Sequence, residues 1–159
     1  MPLIVLGVAP VKFVSQVGGS PGNDQCWMLP CVEIEFGLQA VVDLPDGRSD
    51  VAIDHRVLAL IDTGSDLSHI DEALMTTARP AEASLQSHGI NGTAQSKLHP
   101  VAFRFPGIGL LIRSNAMPFQ RRLIEPYQAI LGRNVLLHTR FVHDDTQWIS
   151  GLEIMYSAT

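Results

Sequence analysis

The sequence predicts an all-β domain with one or two short helices, on three observations. Apolar and polar side chains alternate in Val32-Glu33-Ile34-Glu35-Phe36 and again in Val101-Ala102-Phe103-Arg104-Phe105, as in a strand with one buried face. Turn chemistry separates such segments, at Pro45-Asp46-Gly47-Arg48-Ser49-Asp50 and at Asn91-Gly92. Pro80 forbids a long continuation of the helix signalled before it.

In chain order, Leu3-Ile4-Val5-Leu6-Gly7-Val8 reads as a first strand. No Lys or Arg precedes it, Pro10 follows, and it is too short for a signal peptide or a membrane span of about 20 residues. The expectation is a soluble, cytoplasmic protein with no membrane partner. Gly18-Gly19-Ser20-Pro21-Gly22-Asn23-Asp24 resembles a linker and sets residues 3–17 apart from the rest. Residues 1–30 are therefore read as an N-terminal extension of unknown role, and 31–159 as the domain proper. Arg56-Val57-Leu58-Ala59-Leu60-Ile61 carries apolar residues at consecutive positions, which predicts a central strand buried on both faces.

Ser68-His69-Ile70-Asp71 matches a capping box with Ser68 as the cap, followed by a short helix from Glu72 to Thr77. Asn91-Gly92 predicts a tight hairpin, and its formal glycosylation sequon with Thr93 is read as turn chemistry. Alternation returns at Val101–Phe105 and around Leu110-Leu111-Ile112. A last helix starts near Arg133 and covers Val135-Leu136-Leu137, and Phe141-Val142 and Trp148 to Met155 close the fold as strands.

At 159 residues the chain is one domain, and a charged fraction of 17% is too low for disorder. Its net charge is −5 and its longest basic run is Arg121-Arg122, which excludes the clustered positive surface that nucleic acid requires. Cys26 and Cys31 are too few for a disulfide scaffold. They are read as buried or idle thiols, in preference to a single bridge or, with a His, a metal site. The six histidines show no i, i+4 pairing and are read as surface or satisfied residues; His69 and His88 receive no role. Zinc-helix, phosphate-loop and serine-elbow motifs are absent, and no metal or cofactor is expected.

One segment carries chemistry. Leu60-Ile61-Asp62-Thr63-Gly64-Ser65-Asp66 takes an apolar strand into a carboxylate, a hydroxyl residue and a glycine. A buried, unpaired carboxylate is costly, so Asp62 must be exposed, paired or functional. Alone, the tetrapeptide Asp62-Thr63-Gly64-Ser65 has ordinary turn composition. A second apolar strand stopped by glycine, Ala129-Ile130-Leu131-Gly132-Arg133-Asn134, changes the weighing.

Together the two segments resemble the retropepsin family of aspartic peptidases, the retroviral-protease-like enzymes. The resemblance covers residues 56 to about 140. It implies a single-lobed acid-protease fold, active as a two-fold homodimer, in which Ile130, Leu131 and Gly132 support the loop that holds the catalytic Asp62. It implies that Thr63 donates its hydroxyl across the subunit boundary and that Gly64 lets the substrate backbone approach. Asp66 would bind substrate main chain and pair with Arg133, whose planar fork suits a carboxylate. The hairpin around Gly89, Ile90, Asn91 and Gly92 would be the flap over the peptide.

Ser65 stands where retroviral enzymes usually carry Ala. A hydroxyl there, donated to Asp62, would favour the ionised carboxylate and shift activity to more acid pH. Hydrolysis of this kind needs two aspartates around one water, and the chain has no second Asp-[Ser/Thr]-Gly. The expected function is therefore that of an aspartic endopeptidase whose second aspartate comes from another copy. The alternatives are a retropepsin-like dimer that binds peptide or serves as a scaffold without cleaving, and an unrelated β protein with coincidental motifs.

Overall fold

Alternation in the sequence becomes strand pairing in the computed structural model, which describes residues 3–15, 28–81, 83–89, 92–144, 146 and 149–157. The strands are β1 (Leu3–Ser15), β2 (Met28–Gly37), β3 (Val42–Asp43), β4 (Ser49–Asp50), β5 (His55–Ile61) and β6 (Ser68–Asp71). After a 3-10 turn (Glu72–Leu74) come β7 (Ala83–Gly89), β8 (Gly92–Arg104), β9 (Ile112–Phe119), β10 (Ala129–Leu131), β11 (Thr139–Asp144) and β12 (Ile149–Ser157). The helix α1 (Arg133–Leu136) separates β10 from β11. The protein is all-β, as expected.

The main sheet has the order β11-β12-β1-β2-β5-β10-β6-β9-β8-β7, and β2 also pairs with β8. That extra pairing, Glu35↔Arg104 to Gly37↔Ala102, closes β2, β5, β10, β6, β9 and β8 into a ring. Inside it pack Val32, Ile34 and Phe36 from β2, Ala59, Ile70, Val101, Phe103, Leu131 and the helix residue Val135. β1 pairs with β12 through Pro10 and with β2 from Val11 onward, so this early strand is part of the same sheet. The ribbon β3–β4 is the expected Pro45–Asp50 turn, with Gly47 at φ +81°, a conformation glycine adopts without a Cβ penalty.

Three expectations need correction. Ser68–Asp71 is a strand, paired with β10 on one side and β9 on the other. Two ladders and the burial of Ser68 and Ile70 outweigh a single cap. The cap is instead Asp71, whose carboxylate accepts from the Ala73 N–H at 3.1 Å, and the helix is only the 3-10 turn, ending short of Thr77.

The second correction concerns β5, which is central but has one fully covered face. Val57 and Ala59 are buried, while Leu58 and Leu60 on the opposite face are half-buried. Third, Gly92 opens β8 and pairs with Gly89, so it belongs to the strand and not to the two-residue turn expected at Asn91-Gly92. Ile90 and Asn91 themselves, like Cys26 and Trp148, lie outside the described residues.

Candidate active site

The Asp62 loop is held by two strands that lie side by side. β10 runs parallel to β5 in the register Ala129↔Ala59, Ile130↔Leu60 and Leu131↔Ile61, so the two glycine-stopped segments end together. The Asp62 N–H donates to the Leu131 carbonyl at 3.1 Å, extending that ladder to the carboxylate residue itself. Asp62 Oδ1 accepts from the Gly64 N–H at 2.9 Å, and Asp62 is half-buried while Thr63 and Gly64 are exposed. The carboxylate is thus aimed by backbone at the surface of the molecule.

Gly132 lets the loop close. A Cβ there would sit 2.3 Å from the Leu67 carbonyl oxygen and 2.9 Å from the Ser68 nitrogen, both backbone atoms. The first amides of α1, unsatisfied within any helix, donate to that loop: Arg133 N to Ser65 O at 2.8 Å and Asn134 N to Asp66 O at 3.2 Å. The buried Ser68 hydroxyl accepts from Gly132 N at 3.0 Å and donates to Asn134 Oδ1 at 2.9 Å. Asn134 Nδ2 then reaches Ser114 Oγ at 2.7 Å and the Asn115 carbonyl at 2.8 Å. A polar chain therefore ties the Asp62 loop through α1 to β9.

The expected Asp66–Arg133 ion pair is present. Both side chains are exposed, at 76% and 59%, so the pair orients Asp66 more than it stabilises the fold. Ser65 departs from expectation. Its hydroxyl donates to the Leu67 carbonyl at 2.7 Å, a contact two residues away within the tight loop, and Asp62 is served by the Gly64 amide in its place. The acid-shifted activity expected from a Ser65–Asp62 bond loses its basis.

Beside the loop is a cleft of about 680 Å³, lined by Gly64 and Asp66 of the loop, the paired strand residues His69 and Met117, and Leu85 and Gln86. Leu85 and Gln86 come from β7, so the predicted flap hairpin does border the cleft. Gly89 and Gly92 form the end of that hairpin, at its last backbone pair. Ile130 sits opposite His69 in the β10–β6 pairing and is half-buried, whereas Leu131 is fully buried in the core.

His69 is the residue the sequence left without a role. Its Nδ1 is shut away from solvent and has no hydrogen-bond partner among the described residues. Burial holds the imidazole below its ordinary 6.5, against the upward pull of the Asp62 carboxylate and a Leu67 backbone hydrogen bond. Ser68, Asn134 and Met117 were also missed as site residues. Only the spacing of Asn134, two positions after the glycine stop, was a signal. Cys31 is buried in β2 with its thiol pushed up to about 11 by that burial, which makes it a poor nucleophile. Among the described residues no group of three or more His, Cys, Asp or Glu could hold a metal ion. No helix among them is long and apolar enough to cross a membrane.

No family model matches the chain, and no curated protein matches it. Among solved structures, the chain is similar to the solution structure of the simian foamy virus (mac) protease, at 13% identity and a TM-score of 0.42. The match covers 66% of this chain and 91% of the viral one. At that distance the likeness fixes no residue's role.

Proposed function

We propose that the protein is an aspartic endopeptidase of retropepsin type, acting as a homodimer in which each copy supplies one Asp62. The observation that carries this reading is the β5–β10 clamp. Two parallel strands, the Leu131 carbonyl and the Gly64 amide hold one carboxylate in a loop whose next residues, Gly64, Ser65 and Asp66, line a cleft of about 680 Å³. An ordinary turn has no need of that support.

Two such carboxylates facing each other cannot both stay ionised, so they share one proton. The ionised one takes a proton from a water held between them, and the water oxygen attacks the scissile carbonyl carbon. The neutral one gives its proton to the carbonyl oxygen as the tetrahedral species forms. Collapse of that species breaks the C–N bond, with a proton delivered to the leaving amine. The substrate lies extended along the cleft, its main chain bound by Gly64 and Asp66 and covered by the hairpin ending at Gly89 and Gly92. Thr63 locks the two loops together across the two-fold axis.

Exposed apolar residues on β1 favour a second copy. Leu3 and Val8 are 62% and 56% exposed, with Ile4, Val5, Leu6 and the β12 residue Tyr156 also open, and apolar surface of this extent, on both faces of the strand, is a common mark of association. The test is cleavage of a diverse peptide library from pH 3 to 7 by the wild type and by Asp62→Asn, with sedimentation velocity on both. Cleavage by the wild type alone, in a dimer, supports the reading. Equal cleavage by both proteins removes Asp62 from the chemistry, and a dimer that binds peptide but cleaves nothing leaves a non-catalytic binding module.

A further inference from the structure

A second pocket shares no lining residue with the cleft beside Asp62. It holds about 350 Å³ where β8 and β9 meet the chain following β2, with Arg79, Pro100, Arg113, Ser114 and Asn115 in its wall. That volume falls within the usual range for small-molecule sites, about 300–1,000 Å³. Two arginines, Arg79 and Arg113, line it in a chain whose net charge is −5.

Arg113 is partly engaged, since one of its terminal nitrogens contacts the Asp43 carboxylate and Ser49 Oγ. The Arg79 side chain has no hydrogen bond or ion pair among the described residues, and its Nε is closed off from solvent. Its positive charge therefore has no counter-charge among the described residues. Ser114 Oγ already accepts from Asn134 Nδ2, which leaves its own proton available for donation. The pocket wall is therefore rich in donors and positive charge.

We propose that this pocket binds a small organic anion through an oxyanion group, phosphoryl or carboxyl, gripped between Arg79 and Arg113 with Ser114 as a third donor. Planar guanidinium forks match the paired oxygens of both groups. The site shares no lining residue with the cleft beside the Asp62 loop.

Isothermal titration of the full chain with inorganic phosphate, with succinate and with chloride at matched ionic strength tests it. The expected result is saturable one-to-one binding of phosphate, succinate or both, at least tenfold weaker in Arg79→Gln and in Arg113→Gln. Preference for phosphate assigns a phosphoryl ligand, and preference for succinate a carboxylate. Arg79→Lys, which keeps the charge and loses the fork, falls between wild type and Arg79→Gln and guards against a variant that fails to fold. Absence of saturable binding by either oxyanion, equal binding of chloride, or wild-type affinity in Arg79→Gln overturns the proposal.

Discussion

Replacing Ser68 by alanine removes one oxygen and leaves two partners behind. The Gly132 N–H loses its acceptor and Asn134 Oδ1 loses its donor. Gly132 is buried, so water cannot replace the hydroxyl there, whereas the half-buried Asn134 recovers part of its loss. A stranded buried group costs about 1–3 kcal/mol, so Ser68→Ala should destabilise the fold by about 2–4 kcal/mol. For a chain of this length, about 2–4 °C of melting temperature goes with each kcal/mol, which puts the fall at roughly 6–12 °C for a loss near 3 kcal/mol.

Calorimetry at one fixed protein concentration reads this directly, since association makes the melting temperature depend on concentration. The double variant Ser68→Ala/Asn134→Ala should lose less than the two single variants added together, by about 0.5–3 kcal/mol, because both remove the same bond. A fall of less than about 2 °C for Ser68→Ala, or full additivity in the cycle, would refute the claim that this hydroxyl holds the Asp62 loop against α1.

Gly132→Ala should cost about 3 kcal/mol or more, because its Cβ meets the Leu67 carbonyl at 2.3 Å. Gly64→Ala, whose Cβ meets only the Asp62 carboxylate at 3.2 Å, should cost clearly less, and similar urea midpoints for the two would contradict this. His69 is held below its ordinary 6.5 by burial, so the folded state binds this proton less readily than the unfolded chain. Its contribution is fully present above pH 6.5 and is lost as pH falls through the depressed value. His69→Phe should therefore lose less stability than wild type between pH 7.5 and pH 5, and an identical loss in chemical denaturation would count against it. Cys31, with a thiol near 11, should react with iodoacetamide at pH 8 about two orders of magnitude more slowly than in urea. Peptide mapping that finds equal rates would show the site to be open.

What the sequence made legible was periodic and local. Val32–Phe36 placed its apolar residues inward because period-two alternation is a property of the strand alone. The glycine-stopped segments at Asp62 and Gly132 were readable as a pair because both carry the same apolar-then-glycine pattern. Ser68-His69-Ile70-Asp71 was misread because a capping box and a short buried strand use the same residues, and only the neighbours β9 and β10 decide between them. Ser65 was misassigned for a related reason, since which carbonyl or carboxylate a hydroxyl reaches depends on loop geometry. Met117, Leu85 and Arg79 carry no local mark at all. They acquire meaning only from residues that are distant in sequence.

The placing of β10 between β5 and β6 has a consequence for the order of folding. Its partners come from stretches some sixty (β6) and seventy (β5) positions earlier, and β1 must wait for β12, which pairs Leu3 with Ser157. Contacts of such long sequence separation close large loops and form slowly. A ribosome that has released only the first hundred residues has made Asp62 but neither the strand that clamps it nor the partner of β1. The Asp62 loop thus gains the Leu131 carbonyl that anchors it only after β10 has been made, long after the carboxylate residue itself.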